Sequence, residues 1–182
     1  MESEKKHYTS NWYFFIPFFG VVIPDFLYII GFNIDQSAID YYGQVHNDSR
    51  NKMLHVLLLP WAAFGYSLGV PALFKLSRST ASLTRNWFYL TYIFMYARIN
   101  MMMSIVFAFL YAIPLFLSHY YYKPTTATAL KGITIGTGLM IIMEYIGHVE
   151  FELQNSRIDG VANAILYSHF YISQEFIKLF YK

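Results

Sequence analysis

The stretch at residues 53–74 reads MLHVLLLPWAAFGYSLGVPALF and contains no Asp, Glu, Lys or Arg. A helix of about 20 mostly apolar residues spans the hydrocarbon core of a bilayer, so this run predicts a membrane-spanning helix. Pro60 and Pro71 lie inside it and predict kinks or unwound turns. The stretch therefore indicates a membrane protein built from helices.

Further apolar runs lie on both sides of this stretch, at residues 12–32, 132–147 and 160–181. The last run is the most polar, because it contains Asn163, His169 and Glu175, and it either spans the membrane or lies partly in the interface. Together these runs predict an all-α, multi-span transmembrane helical bundle with about five to six membrane segments, some kinked or short.

Residues 87–117 are too long for one untilted span and are interrupted by Arg98 and Asn100. They form either one tilted helix or a hairpin that turns near Arg98, and the charged residues favour the hairpin. It brings nine basic and three acidic groups to one face: Lys5, Lys6, Lys75, Arg78, Arg85, Lys123, Lys131, Lys178 and Lys182, with Glu2, Glu4 and Glu175. The positive-inside rule makes that face cytoplasmic, or the matrix face in a mitochondrion.

The composition agrees with a membrane protein and excludes several classes of function. Hydrophobic residues make up 56% of the 182 residues and charged residues 13%, against about 25% charged residues in soluble domains. A net charge of +2 gives no reason to expect a nucleic-acid partner, whereas membrane lipids are expected partners. The absence of cysteine excludes disulfides, thiolate nucleophiles and Cys-ligated metals. Without repeats or long linkers, residues 1–182 are predicted to form a single membrane domain.

Three of the six histidines stand in unusual surroundings. His46 and His55 are nine residues apart, so on one continuous helix they would face opposite sides, whereas a turn between them lets them converge. Glu144, His148 and Glu152 recur at every fourth residue and predict one helical stripe. The hairpin topology places all three histidines at the same membrane face. Three imidazoles near carboxylates suit Fe(II) or Zn(II), and copper also remains open.

The same histidines also have structural interpretations. A histidine at the end of an apolar helix is often an interfacial hydrogen-bonding group, and the stripe suits a polar network facing another subunit as well. His7, His119 and His169 are predicted to have structural roles, with packing favoured for His169 among its aromatic neighbours.

Two motifs stand out around the histidines, the Tyr-rich segment YYGQVHNDSRNKMLH at residues 41–55 and GHVEFE at residues 147–152. Through them, residues 39–181 resemble a family of small endoplasmic-reticulum membrane proteins, the iron-dependent 2-hydroxy-fatty-acid dioxygenases of phytosphingosine breakdown. Ile158, Asp159, Glu175 and Phe176 match at the family's spacing. The chain departs from the family at three places. The family has Asn-Pro where this chain has Asp48 and Ser49, and a Lys/Arg-rich stretch with Pro-Ala where it has LQNSR at residues 153–157. The family often has Gln at the position of Glu144.

The resemblance implies a catalytic Fe(II) centre held by His46, His55 and His148, with Asn51, Glu144 and Glu152 around the ligands. It implies removal of one carbon from a 2-hydroxy fatty acid, and a location in the endoplasmic reticulum. Arg98, Lys52 and Arg50 are candidates for binding the substrate carboxylate, with Arg98 taken as the first choice. Residues 1–38 are then an N-terminal addition with one membrane helix.

The alternative is a non-catalytic transmembrane subunit of a larger membrane complex, for example in the mitochondrial inner membrane. Its many aromatic residues and methionines would then pack against other membrane subunits or lipid.

Overall fold

The structure is a computed structural model that describes residues 43, 44, 46–152 and 160–179, with only the backbone described for Arg98 and residues 160–167. These residues form five helices and no strand, which confirms the all-α prediction for this part of the chain. The helices are α1 (Ser49–Leu73), α2 (Arg78–Ile99), α3 (Met101–Tyr121), α4 (Thr126–Ile142, continued as a π-helix over Met143–Phe151) and α5 (Gly160–Lys178). The predicted segment 12–32, the addition 1–38 and His7 lie outside the described residues.

The first four helices begin at residues whose side chains satisfy free backbone N–H groups. Asp48 caps α1, Ser77 caps α2, Asn100 caps α3 and Thr125 caps α4. These are the residue types that favour helix N-caps, because a short side-chain oxygen reaches the N–H groups of the first turn. The first residue of each of these helices is therefore determined by the local sequence.

The predicted hairpin is confirmed, and its turn lies at Asn100. This residue ends α2, and its Oδ1 accepts hydrogen bonds from the N–H groups of Met102 at 2.9 Å and Met103 at 3.3 Å. Tyr89 donates to the Ala108 carbonyl oxygen of the returning helix, so α2 and α3 run antiparallel. The two arms have 22 and 21 residues, because both helices extend beyond the apolar run of residues 87–117.

The number of predicted membrane segments was too high for the described residues. Three helices are long and apolar enough to span a membrane, α1, α3 and the continuous helix Thr126–Phe151. The helix α2 starts in a polar segment that contains Arg78 and Arg85, and α5 is interrupted by polar residues. Pro60 and Pro71 lie inside α1, which continues through both, so the predicted unwound turns do not occur there.

A seam of four glycines holds α1 against α4. Gly65 and Gly69 of α1 face Gly132 and Gly136 of α4, in two matching Gly-x-x-x-Gly patterns. A Cβ atom at Gly69 would lie 2.6 Å from the backbone nitrogen of Ile133, closer than side-chain atoms approach. Small residues allow this close backbone approach in membranes, where van der Waals packing largely replaces the hydrophobic effect between helices.

The interior of the bundle is aromatic. Tyr92 and Tyr96 of α2, Phe107 and Tyr111 of α3, and Phe170 of α5 are all buried. Large apolar side chains instead cover the outside, including Leu57, Phe109, Ile113, Phe116, Leu130 and Ile141. Apolar side chains on the outer surface are what a bilayer solvates, so the described part of the chain has the character of an integral membrane protein.

The acidic residues of the described chain lie towards one end of the bundle. Lys75, Arg78, Arg85, Lys123 and Lys131 lie at or near the end where α1 joins α2 and α3 joins α4, and residues 49–143 contain no acidic residue. Asp48, Glu150 and Glu152 lie at the opposite end, which also holds the predicted histidine site. The end where α1 joins α2, which has basic and no acidic residues among the described ones, is called the basic end; Arg50, Lys52, Arg98 and Lys178 lie at the opposite, histidine end.

The predicted positions of Glu175 and Lys178 at the basic end were wrong. Oε2 of Glu175 lies 3.8 Å from Nζ of Lys52, in the first turn of α1, and Lys178 pairs with the same carboxylate. The C-terminal part of α5 therefore lies at the histidine end of the bundle. The physical reason is the ion pair with Lys52, which gives the Glu175 carboxylate a counter-charge at the polar start of α1.

Candidate metal centre

The three predicted histidines come from three separate segments. His46 lies in the short connection before α1, His55 in the second turn of α1, and His148 in the π-helical end of α4. Because α1 starts only at Ser49, His46 is free of the helical register that would have turned it away from His55. The turn that allows the two residues to converge is therefore present.

All three imidazoles are buried and converge. His46 is 1% exposed, His55 4% and His148 5%. The ring centroids of His46 lie 4.9 Å from His55 and 4.7 Å from His148, and those of His55 and His148 lie 5.5 Å apart. One nitrogen from each ring lies within 4.8 Å of the other two, a spacing that can hold a metal ion. The predicted association of these residues is confirmed.

A backbone hydrogen bond fixes the orientation of His55. Its Nδ1 lies 3.0 Å from the carbonyl oxygen of Asn51, one helical turn earlier. Because a carbonyl oxygen only accepts, we assign the hydrogen to Nδ1, which leaves the lone pair of Nε2 available. Metal-binding histidines commonly donate their second nitrogen to a carbonyl or carboxylate in this way.

Glu152 joins the segments that carry the three histidines. Its Oε1 accepts hydrogen bonds from the backbone N–H of Asp48 at 2.8 Å and from Nδ2 of Asn51 at 3.1 Å. This carboxylate, at the end of α4, thereby holds the connection that carries His46 and the first turn of α1. Tyr171 of α5 adds a hydrogen bond from its hydroxyl to the carbonyl oxygen of His46, at 3.2 Å.

Gly147 allows the two helices to meet at the site. A Cβ atom there would overlap Oδ1 of Asn51 and lie 3.3 Å from Cε1 of His55. Any other residue would therefore displace the buried Asn51 side chain and crowd His55 at the position where His148 reaches it. This gives a physical reason for glycine before the histidine in the sequence GHVEFE.

The π-helix aligns the predicted stripe. A π-helical turn holds more residues than an α-helical turn, so residues four apart lie more nearly on one line. Glu144, His148 and Glu152 are spaced in this way within or beside Met143–Phe151. The stripe prediction is confirmed, whereas the π-helix itself has no signal in the sequence that we recognise. Such insertions frequently accompany functional sites.

The surroundings of the imidazoles fit a bound cation. Oδ1 of Asn51 and Oε2 of Glu144 are buried acceptor oxygens without a hydrogen-bond partner among the described residues. Leaving buried acceptors unsatisfied is costly, and a carboxylate in a membrane-spanning helix adds to that cost. A divalent ion with its exogenous ligands would supply the positive charge and the donors that these oxygens lack. Three neutral imidazoles with carboxylates nearby suit Fe(II) or Zn(II), so the residues present fit the metal that the sequence predicts.

Asp48, the residue before α1, is held by an ion pair with Arg50. Arg50 donates from its Nη2 to Asp48 at 2.7 Å, and its guanidinium lies 4.5 Å from the centre of the Phe151 ring. The hydrogen bonds from Arg50 lower the pKa of Asp48 to about 2. Asp48 is therefore ionised at neutral pH, where its negative charge stabilises the N-terminus of α1.

The three candidates for binding the substrate carboxylate lie at the histidine end of the bundle, outside the set of converging imidazoles. Arg50 is paired with Asp48, and Lys52 lies near Glu175 at the same end of the bundle. Arg98 lies in the last turn of α2, which is also at the histidine end, but its side chain lies outside the described part of the structure. Asp159, which the resemblance includes, also lies outside it.

The structural roles predicted for two other histidines are consistent with their contacts. His119 lies at the basic end, 3.2 Å from Nη2 of Arg85. His169 packs against Tyr92 and Phe107 and is hydrogen-bonded to the Tyr111 hydroxyl. Sequence reasoning missed Tyr171, because its contact with His46 joins residues far apart in the chain and has no local sequence signal.

Comparisons with known proteins returned no match: no family model, no curated protein and no solved structure is significantly similar to this chain.

Proposed function

We propose that this chain is a membrane-embedded, Fe(II)-dependent dioxygenase that shortens 2-hydroxy fatty acids by one carbon. The observation that carries the proposal is the convergence of the buried His46, His55 and His148 at one end of a lipid-facing helical bundle. The resemblance of residues 39–181 to the dioxygenase family supplies the reaction and implies residence in the endoplasmic reticulum.

The three imidazoles would hold the metal through neutral nitrogens and leave the rest of its coordination to substrates. Since only three described side chains converge, open positions remain, as they do at metal sites that catalyse rather than stabilise. Bound Fe(II) would supply the activation of dioxygen and the orientation of the 2-hydroxy acid. Asn51 and Glu152 then keep the ligands in place, through the contacts with His55 and Asp48.

The proposed reaction balances without a further reductant. The bond between C1 and C2 of the 2-hydroxy acid breaks, C1 leaves as carbon dioxide, and C2 becomes the new carboxyl carbon. Dioxygen accepts the four electrons that the substrate loses; one of its atoms enters the new carboxyl group and the other leaves as water. The product is a fatty acid one carbon shorter.

The bundle suits a lipid substrate. Apolar side chains such as Leu57 and Tyr145 are 58% exposed on the helices that carry His55 and His148, so an acyl chain can approach within the bilayer. The carboxylate of the substrate then lies towards the polar end, near Lys52. We propose Lys52 and Arg98 as the groups that bind it.

The test is the conversion of a saturated 2-hydroxy fatty acid by the full chain in lipid nanodiscs with Fe(II) and oxygen. We expect an acid one carbon shorter, carrying one labelled oxygen when the gas is ¹⁸O₂. The matched fatty acid without the 2-hydroxyl group should remain unchanged. A chain that retains iron and yields no shortened acid would refute the proposal and favour the non-catalytic membrane subunit.

A further inference from the structure

Glu144 is a partly buried carboxylate on the same helix as His148. It lies one turn before His148 on the stripe that faces α1, and its Oε2 is buried without a hydrogen-bond partner among the described residues. The four-residue spacing places it next to His148, whose ring centroid lies 5.5 Å from that of His55. A carboxylate in this position within a membrane helix is costly unless something compensates for it.

The two carboxylates of the stripe differ in what they already bind. Oε1 of Glu152 accepts hydrogen bonds from Asp48 and Asn51, so this residue has a structural role. Glu144 does not belong to the set of donor atoms that lie within 4.8 Å of one another, which consists of the three histidines. Its buried oxygen therefore lies on a residue one helical turn from His148, outside the ligand set itself.

A metal held by three imidazoles takes a further ligand from outside the protein. If that ligand carries an O–H group, it can donate a hydrogen bond to a nearby carboxylate and so satisfy it. If it is an anion without a proton, the two negative charges repel in a low-dielectric surrounding. A free carboxylate oxygen beside the site thus selects protic ligands over anions.

We infer that Glu144 accepts a hydrogen bond from the protic ligand at the metal site, either water or the 2-hydroxyl group of the substrate. The identity of the substrate in this inference rests on the proposed function, whereas the hydrogen bond from a metal-bound water does not depend on it. It gives Glu144 a positioning role: the residue distinguishes a hydroxylated acid from one that lacks the hydroxyl.

The inference is tested with Co(II) as the metal and azide as an anion that carries no proton. The full chain in detergent is loaded with Co(II), and azide binding is followed by visible absorption in wild type, Glu144→Gln and Glu150→Gln. Glu150 is exposed on the same helix, so its variant is a matched control for the loss of one charge. We expect azide to bind at least about tenfold more tightly to Glu144→Gln, with unchanged Co(II) content, and Glu150→Gln to behave as wild type.

Two outcomes would overturn the inference. Equal azide affinity in wild type and Glu144→Gln would show that the carboxylate does not face the exogenous ligand. Loss of Co(II) from Glu144→Gln would make Glu144 a metal ligand instead. Glu144→Leu, which also removes the charge, provides a second test if the glutamine variant does not fold. None of these readouts depends on fatty-acid turnover. If the proposed function fails, the azide and Co(II) results still test the role of Glu144.

Discussion

Replacing His148 with alanine is expected to lower the affinity of the chain for a divalent metal by more than about 100-fold. Changes in groups around a metal site commonly cost 10-fold to 100-fold in affinity, and loss of a ligand exceeds this. His148 is one of three buried imidazoles whose nitrogens converge, so its removal leaves two neutral donors. The measurement is a competition titration of the purified chain with a chromophoric chelator, and fatty-acid shortening should disappear in the same variant.

His119→Ala is the matched control for this experiment. It also removes one imidazole, but His119 lies at the basic end of the bundle, beside Arg85. We expect its metal affinity to equal that of wild type. Equal losses in the two variants would mean that histidine content, rather than the site, determines metal binding.

The second large effect is expected at the glycine seam, where Gly132→Ala should destabilise the bundle by about 3 kcal/mol or more. A Cβ atom at Gly132 would lie 2.5 Å from Cα of Gly69, and backbone on both sides cannot move without separating α1 from α4. Because these helices also carry His55 and His148, metal affinity should fall together with stability. Thermal unfolding in detergent, followed by the loss of helical signal, measures the first effect.

Gly138→Ala is the control, because a Cβ atom at Gly138 meets nothing within 4 Å. Alanine favours helix by up to about 1 kcal/mol over glycine, so this variant should be unchanged or slightly more stable. Comparable destabilisation of Gly132→Ala and Gly138→Ala would contradict the close contact between α1 and α4.

Much of the site was predictable because its determinants are local. The spacing of His46 and His55 allows them to converge only if a turn separates them, and Asp48 is a typical cap that places the start of α1 between them. Asn100 interrupts an apolar run with a side chain suited to capping, so the hairpin was also predictable. The hairpin then decided that His148 returns to the end that holds His46.

Other features depend on contacts between distant segments and have no local signal. The pairing of Glu175 with Lys52 placed α5 at the histidine end, although counting charges by loop had put Glu175 at the basic end. The contact of Tyr171 with His46 follows from the same placement. The π-helix that aligns Glu144 with His148 could not be read from MEYIGHVEF, since no residue in it distinguishes π-helix from α-helix.

Anaerobic titration of the wild-type chain with Fe(II), followed by X-ray absorption at the iron edge, tests the metal centre most directly. The account predicts saturation at one ion per chain and a first shell that contains three imidazole nitrogens, from His46, His55 and His148. Failure of the folded chain to bind iron, or a bound ion without imidazole nitrogens in its first shell, would contradict it.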